Sequence, residues 1–455
     1  MRGTLAALAC ATTLCGTAAL QAPASGSGSP DLLAVVRAAE PDGELAVVAA
    51  LEAAMEAVPE AERDGWAALD VWRDLLGTRL TFAGDAAGAL RMDCAAYASN
   101  RGRRSEPALD GFTPKDAVQA IVELAAGREV VMLNEEHRRS QQRAFAHELL
   151  APLAAAGFTH LALETLITDP AALAALAERG HPLVGDGFYT RDPVLGDLVR
   201  RALELGLVVT GYEADSARRP KELAGDPLAS TNWRENEQAR NLLAVLDAQP
   251  DARVVVWCGR HHLSELRAEP GEESWTPMAG IFAELSGIDP LSVDLMVLNE
   301  ADVPERERDV YRAAVEGGLV EEPTVFLDAD GAPYSAFSHI DVTAFLPRSR
   351  YAAGRPQWMR MGGLRRELEL EPEDENVAPS PGRPLLFEAR VAGEPAAAVP
   401  LDRALWRSDE PPALLLRPGL AYAVRIVAPP NEVVWEGSVD WTAGKGGEER
   451  GGDGK

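Results

Sequence analysis

Val130-Val-Met-Leu-Asn-Glu-Glu-His137 is a run of four apolar residues, then an asparagine and three ionisable residues. Such a run is too short for a buried helix and suits a strand covered on both faces. The same signature recurs downstream. Thr159-His-Leu-Ala-Leu163 is followed by Glu164, and Leu207-Val-Val-Thr210 by Glu213 and Asp215. Arg253-Val-Val-Val-Trp257 precedes Gly259-Arg-His-His262, and Ser292-Val-Asp-Leu-Met-Val-Leu298 precedes Asn299-Glu300. Between these strands lie helix start and stop signals. Thr113-Pro114 opens a helix closed at Gly127, and one over 140–156 ends at Gly157. Asp169-Pro170 opens a helix that stops at Gly180, and Asp192-Pro193 one closed by Gly206. A long helix covers 231–247, and Thr276-Pro277 starts another. Strands separated by helices at this cadence predict an α/β fold, a mostly parallel sheet flanked by helices.

Working outward, this core occupies residues 113–346. Residues 25–112 are Ala-rich and helical in pattern, with no chemistry of their own. The stretch 347–383 turns acidic and Pro-rich from Leu368 to Gly382 and reads as a linker. Residues 384–443 contain Leu385-Leu-Phe-Glu-Ala-Arg-Val391 and Ala421-Tyr-Ala-Val-Arg-Ile-Val427, strands of a small β module. A charged, Gly-rich tail over 444–455 is expected to be disordered. At the other end, Arg2, the uncharged apolar stretch Leu5 to Leu20 and Ala22-Pro23-Ala24 form a signal-peptide pattern over 1–24. The expectation is an exported protein, periplasmic or extracellular, without a transmembrane segment. A lipoprotein with Cys10 as the anchor is the alternative.

Composition narrows the function further. With 455 residues, 46% hydrophobic and 25% charged, the chain is an ordinary globular one. Asp and Glu number 71 against 44 Lys and Arg, a net charge of −27 that repels phosphate backbones, so no nucleic-acid partner is expected. Four cysteines exclude a disulfide scaffold. Export permits a Cys94–Cys258 bridge, although Cys258 inside an apolar strand favours two separate buried thiols.

In open parallel sheets, ligands bind beyond the carboxyl ends of the strands. Three of the seven histidines, His137, His261 and His262, fall there. His137 suits a general base whose tautomer Glu135 fixes, and an imidazole with a carboxylate partner is also a good metal ligand. His262 suits a second ligand or a donor to a developing oxyanion, with His261 as its rival on the same strand end. Glu164 ends a buried strand and needs a positive partner. His147, on an amphipathic helix, reads as packing. Asp328-Ala-Asp330-Gly331 reads as a turn rather than a calcium loop. The chain has no Gly-x-Ser-x-Gly elbow, no phosphate-binding loop with lysine and no His-Glu-x-x-His helix.

Leu133-Asn-Glu-Glu-His137 resembles the Gly-Glu-x-(x)-His motif of the superfamily that contains erythromycin esterase-like, haem-binding ChaN-like and Tiki-type proteins. Gly157-Phe-Thr-His-Leu-Ala-Leu-Glu164, Gly211-Tyr-Glu213, Arg234-Glu-Asn-Glu-Gln-Ala-Arg-Asn241 and Val255-Val-Trp-Cys-Gly-Arg-His-His262 are similar to its later motifs, in the same order, over roughly residues 113–300. Asn134 departs from the family glycine, and the expectation is a turn at Asn134 with positive φ. The resemblance implies a hydrolase that cleaves an ester or amide-type bond of a small-molecule or peptide substrate with an activated water. His137, Glu135, Glu164, His262 and Arg234 would carry that chemistry, and no cofactor is required. Two alternatives use the same residues. One is a Tiki-like hydrolase with manganese, cobalt or zinc between His137, His262 and Glu164. The other is a non-catalytic haem- or iron-binding protein.

Overall fold

A computed structural model describes residues 31–97, 106–267, 274–370, 377–380, 383–442 and 448–450. The signal-peptide pattern, with Cys10 and Cys15, lies outside them. Helices α1 (Leu32–Ala39), α2 (Glu44–Glu56), α3 (Leu69–Phe82) and α4 (Ala86–Tyr97) form the N-terminal region. The core follows as β1 (Thr113–Asp116), α5 (Ala117–Leu124), β2 (Val130–Glu135), α6 (Ser140–Ala155), β3 (His160–Leu163), α7 (Pro170–Arg179), α8 (Pro193–Glu204) and β4 (Val208–Gly211). It continues with α9 (Pro227–Ala248), β5 (Val254–Gly259), α10 (Met278–Ser286), β6 (Leu291–Asp294), α11 (Asp309–Glu316), β7 (Thr324–Leu327) and β8 (Val342–Thr343).

Six parallel strands make the central sheet in the order β4-β3-β5-β2-β6-β8. The α/β class expected from the alternating pattern is therefore present. Because successive strand residues point to opposite faces, the sheet feeds two cores. Val131, Leu133, Leu161, Leu163, Val255 and Trp257 pack with α5, α6 and α8. Val130, Met132, Ala162, Val254, Val256 and Cys258 pack with α9 and α10 on the other side. Cys258 is a free, buried thiol, so the bridge that export would permit is not formed.

Several boundaries differ from the expectations. Thr113-Pro114 does not open a helix. It lies in β1, which pairs antiparallel with β7, and the helix begins at Ala117 with the Asp116 carboxylate accepting from the Gln119 amide. The run from Ser292 to Leu298 stops being a strand at Asp294, whose carboxylate accepts from the Met296 and Val297 amides and turns the chain. The two-residue strand β8 had no apolar run long enough to announce it.

After the core come β9 (Tyr351–Ala352), β10 (Arg355–Pro356) and β11 (Arg366–Leu368), in the stretch read as a linker. They are followed by β12 (Leu385–Val391), β13 (Asp402–Trp406), β14 (Leu414–Leu416), β15 (Ala421–Ala428), β16 (Glu432–Asp440) and β17 (Glu448–Arg450). The small antiparallel module orders its strands β13-β12-β15-β16-β17, and β11 pairs with β14. Part of the expected disordered tail is thus a strand, with Glu448–Arg450 paired to Ser438–Asp440. The module is fastened to the core through the buried Asp197 of α8, which accepts from Arg365 at 2.6 Å and also from Arg417. His147 lies beside them, its Nε2 3.5 Å from Asp197, in the packing role expected for it. The N-terminal helices share a hydrophobic cluster with Leu386 and Leu405 of the module.

Candidate active site

The sheet order fixes where a site can form. The chain leaves β2 toward β3 and leaves β5 toward β6, so adjacent strands exit in opposite directions and open a crevice between their carboxyl ends. Register aligns Glu135 with Gly259 across that gap, and Leu163 with Trp257 beside it. The ionisable residues after β2, β3 and β5 are thereby brought to one place.

His137 heads one centre. Its Nδ1 is 2.9 Å from Glu135 Oε1, so the carboxylate accepts from Nδ1–H and leaves Nε2 as the basic nitrogen. Among the described residues nothing hydrogen-bonds that Nε2. Glu135 is itself buried and held by two donors. Arg143 of α6 forms a two-pronged pair with it at 2.6 Å, and Trp257 Nε1 donates at 2.9 Å. Burial alone would raise the Glu135 pKa, but Arg143 outweighs it and brings the carboxyl down to about 2. Arg143, fully buried, is shared with Asp192 at 2.5 Å, which also accepts from Ser140 at 2.6 Å. The Cε1–Nε2 edge of His137 lies against Gly259. A Cβ there would stand 2.3 Å from Cε1 and 2.6 Å from Nε2, and 3.0 Å from a Glu164 oxygen. Only glycine admits the imidazole to this position.

His262 heads the second centre. Arg260 adopts φ +46°, a left-handed conformation uncommon for a non-glycine residue, and turns the chain directly after β5. That turn sends His262, not His261, into the cluster. His262 Nδ1 is 2.8 Å from Glu235 Oε2, and Glu235 also accepts from Trp275 Nε1 at 2.9 Å and the Met278 amide at 2.8 Å. His262 Nε2 faces Arg234 Nη1 at 3.2 Å and Glu164 Oε1 at 3.5 Å. Burial pushes this imidazole down, yet Glu235 and then Glu164 outweigh it and hold the pKa above the usual histidine value. His261 behaves oppositely, since burial and Arg260 bring it down to about 4.

Glu164 joins the centres. One oxygen accepts from the Gly259 amide, and the other takes Arg234 Nη2 at 2.5 Å. Burial raises its pKa, but His262 and Arg234 outweigh this and hold it far below the usual carboxylate range. Arg234 also clamps Glu213, which Gln238 supports at 3.2 Å.

All five residues expected at the site, Glu135, His137, Glu164, Arg234 and His262, thus share one crevice. Asn134 departs from expectation. It is an extended residue of β2, not a turn, and the positive φ falls at Arg260 instead. Its amide donates to Arg260 O at 2.8 Å and Asp294 at 2.7 Å, and its oxygen accepts from Leu295 N, which ties three strand ends together. The residues do not fit the divalent ion of the Tiki-like alternative. The Arg234 guanidinium sits among Glu164, Glu213 and His262, where a cation would have to be. Among the described residues no group of three or more His, Cys, Asp or Glu side chains could hold a metal. Nor does Arg234 have its fork open for a substrate carboxylate, because three acidic or imidazole partners already occupy it.

Glu213 follows its strand as the sequence shows, whereas the motifs did not mark Arg143, Asp192, Glu235, Trp275 and Tyr189 as partners. Glu235 adjoins Arg234, and Arg143 sits six residues past His137, so both were near at hand. Nothing local marks Asp192 or Trp275. The N-terminal helices also reach the crevice. Asp93 of α4 accepts from Arg138 at 3.1 Å and Arg139 at 2.8 Å, and Asp74 of α3 from Arg260 at 3.4 Å.

No family model and no curated protein matches the chain. Among solved structures it is similar to the type III effector HopBA1, at 17% identity and a TM-score of 0.30 over 42% of this chain and 86% of that one. It is similar to a chain described as belonging to bacterial protein toxins, at 15% identity and a TM-score of 0.31 over 58% and 56%. A third is the C-terminal region of Pasteurella multocida toxin, described as having a thiol-protease-like catalytic triad, at 10% identity and a TM-score of 0.29 over 86% and 55%. Likenesses this distant carry no argument about what the chain does.

Proposed function

We propose that the chain is an exported hydrolase of the erythromycin esterase-like/ChaN-like superfamily that cleaves an ester or amide-type bond of a small-molecule or peptide substrate. One observation carries this reading. Two imidazoles, each with a carboxylate on Nδ1, meet across Glu164 at the carboxyl edge of the sheet. The dyads fit a division of labour. His137 Nε2 takes a proton from water, and the resulting hydroxide attacks the carbonyl carbon. The oxyanion forms on the side of Arg234 and His262, whose raised pKa favours the charged imidazole. Their positive field stabilises it at a distance, because the Arg234 fork is already taken by Glu164, Glu213 and His262. Collapse breaks the bond to the leaving group, and the proton on His137 passes to that group. No serine or cysteine nucleophile is required, and the buried Cys258 thiol, its pKa raised by burial, is unsuited to be one. Among the described residues no helix is long and apolar enough to cross a membrane.

The test is a panel of chromogenic esters and anilides, with the wild-type chain and His137→Gln. The variant should keep the wild-type circular dichroism spectrum and lose about 10²- to 10⁴-fold in turnover. Equal turnover in the two proteins would refute the assignment. A Soret band in the purified protein that disappears with His137 would support haem binding instead.

A further inference from the structure

Tyr189 lies in the 181–191 segment, which carries no recognisable motif, yet its ring is stacked on the imidazole of His137. The centroids are 3.9 Å apart and the planes 15° from parallel. The tyrosine is itself almost fully buried. Phe188 meets it edge-on at 5.0 Å, and Phe82, the last residue of α3, meets Phe188 edge-on at 5.5 Å. The guanidinium groups of Arg79 and Arg191 lie 5.3 and 5.5 Å from the Phe188 ring centre. Arg79 is in turn fixed by Glu44 at 2.9 Å. A continuous run of ring contacts, one stacked and two edge-on, therefore leads from the N-terminal helices to the imidazole.

We propose that Tyr189 is the positioning residue of His137, holding the imidazole flat so that Nε2 stays beside Gly259 and Glu164. The Nδ1 hydrogen bond to Glu135 and the contact with Gly259 hold two edges of the imidazole but neither of its faces. An aromatic face in parallel contact holds one of them and limits tilting of the ring. When the imidazole takes a proton, the same π face attracts the new charge. The inference also gives the N-terminal helices a task, since Phe82 and Arg79 brace the stack from behind. It rests on the hydrolase reading only for its kinetic arm.

The experiment uses the whole chain labelled with ¹³C-histidine, its His137 Cε1–H resonance assigned by its loss in His137→Gln. Stacking places that proton under the tyrosine ring current. The resonance should lie upfield in the wild-type protein and in Tyr189→Phe, and move toward the free-imidazole position in Tyr189→Leu. Phe188→Leu, a milder change, should move it the same way by less. On a substrate found with the ester panel, Tyr189→Leu should lower kcat about tenfold with little change in KM, and Tyr189→Phe should stay within about twofold of wild type. A His137 resonance that ignores the leucine substitutions, or a phenylalanine variant as damaged as the leucine one, would overturn the proposal. A wild-type chain that hydrolyses nothing would count against the hydrolase reading alone, because the resonance still decides the stack.

Discussion

The two histidine centres are built from the same parts and arranged to opposite ends. Each has a carboxylate on Nδ1 and an arginine nearby, fully buried in the case of Arg143 and partly exposed in that of Arg234. Arg143 comes from α6 on one face of the sheet, and Arg234 from α9 on the other. At His137 the arginine pairs with the carboxylate and stays away from Nε2, which remains available to accept a proton. At His262 the arginine faces Nε2 itself, and two glutamates hold the imidazole toward its charged form. Side-chain exposure follows the same division, 14% for His137 and 4% for His262. In the proposed division of labour, what separates the base from the electrophile is which atom of the dyad the arginine addresses.

The centres also differ in how pH acts on them. Glu135 has its pKa lowered to about 2, so its contribution to stability is complete above the ordinary carboxylate range and is lost as pH falls toward about 2. His262 has its pKa raised, so its contribution is complete below the ordinary histidine value and is lost as pH rises through the folded value. Breaking the first centre should have the largest effect on the fold. Glu135→Gln leaves Arg143 short of a counter-charge in a fully buried site, which costs about 3–5 kcal/mol. Urea unfolding at neutral pH checks this, and the gap between variant and wild type should narrow as pH is lowered toward 2. A gap that persists unchanged into acid would break the comparison.

Next in size is the close approach that joins the centres. Gly259→Ala puts a methyl group where the His137 imidazole edge lies, so the ring must shift. Turnover should fall about 100-fold, the penalty of a misplaced catalytic group, with only a modest loss of thermal stability. A fully active Gly259→Ala enzyme would show that His137 does not work from this position.

Much of this arrangement was legible in the sequence, for physical reasons that can be named. Short apolar runs with ionisable ends mark buried parallel strands, because polar residues are tolerated only where the strand reaches the crevice. That logic located Glu135, His137, Glu164 and His262 without a structure. Choosing His262 over His261 rested on the similarity of residues 255–262 to the later family motif, and the structural cause, the left-handed turn at Arg260, has no sequence signal. Helices announced by Asp-Pro pairs at 169 and 192 were found correctly, because the carboxylate caps the helix in each case. Thr113-Pro114 misled for lack of such a cap, since the capping carboxylate is Asp116. The partners that tune the centres were hidden for a different reason. Asp192, Trp275 and Tyr189 lie on segments whose place in space is set by the whole fold, and a buried ion pair leaves no periodic trace.

The central claim is that His137 and His262 serve one chemical step from opposite sides of Glu164. A double-mutant cycle tests it most directly, with kcat/KM measured for wild type, His137→Gln, His262→Gln and the double variant. Groups that act together on one transition state are strongly non-additive. The account predicts a double variant no more than about threefold worse than the worse single variant. Losses that multiply across the two substitutions, or a His262→Gln enzyme as active as wild type, would contradict it.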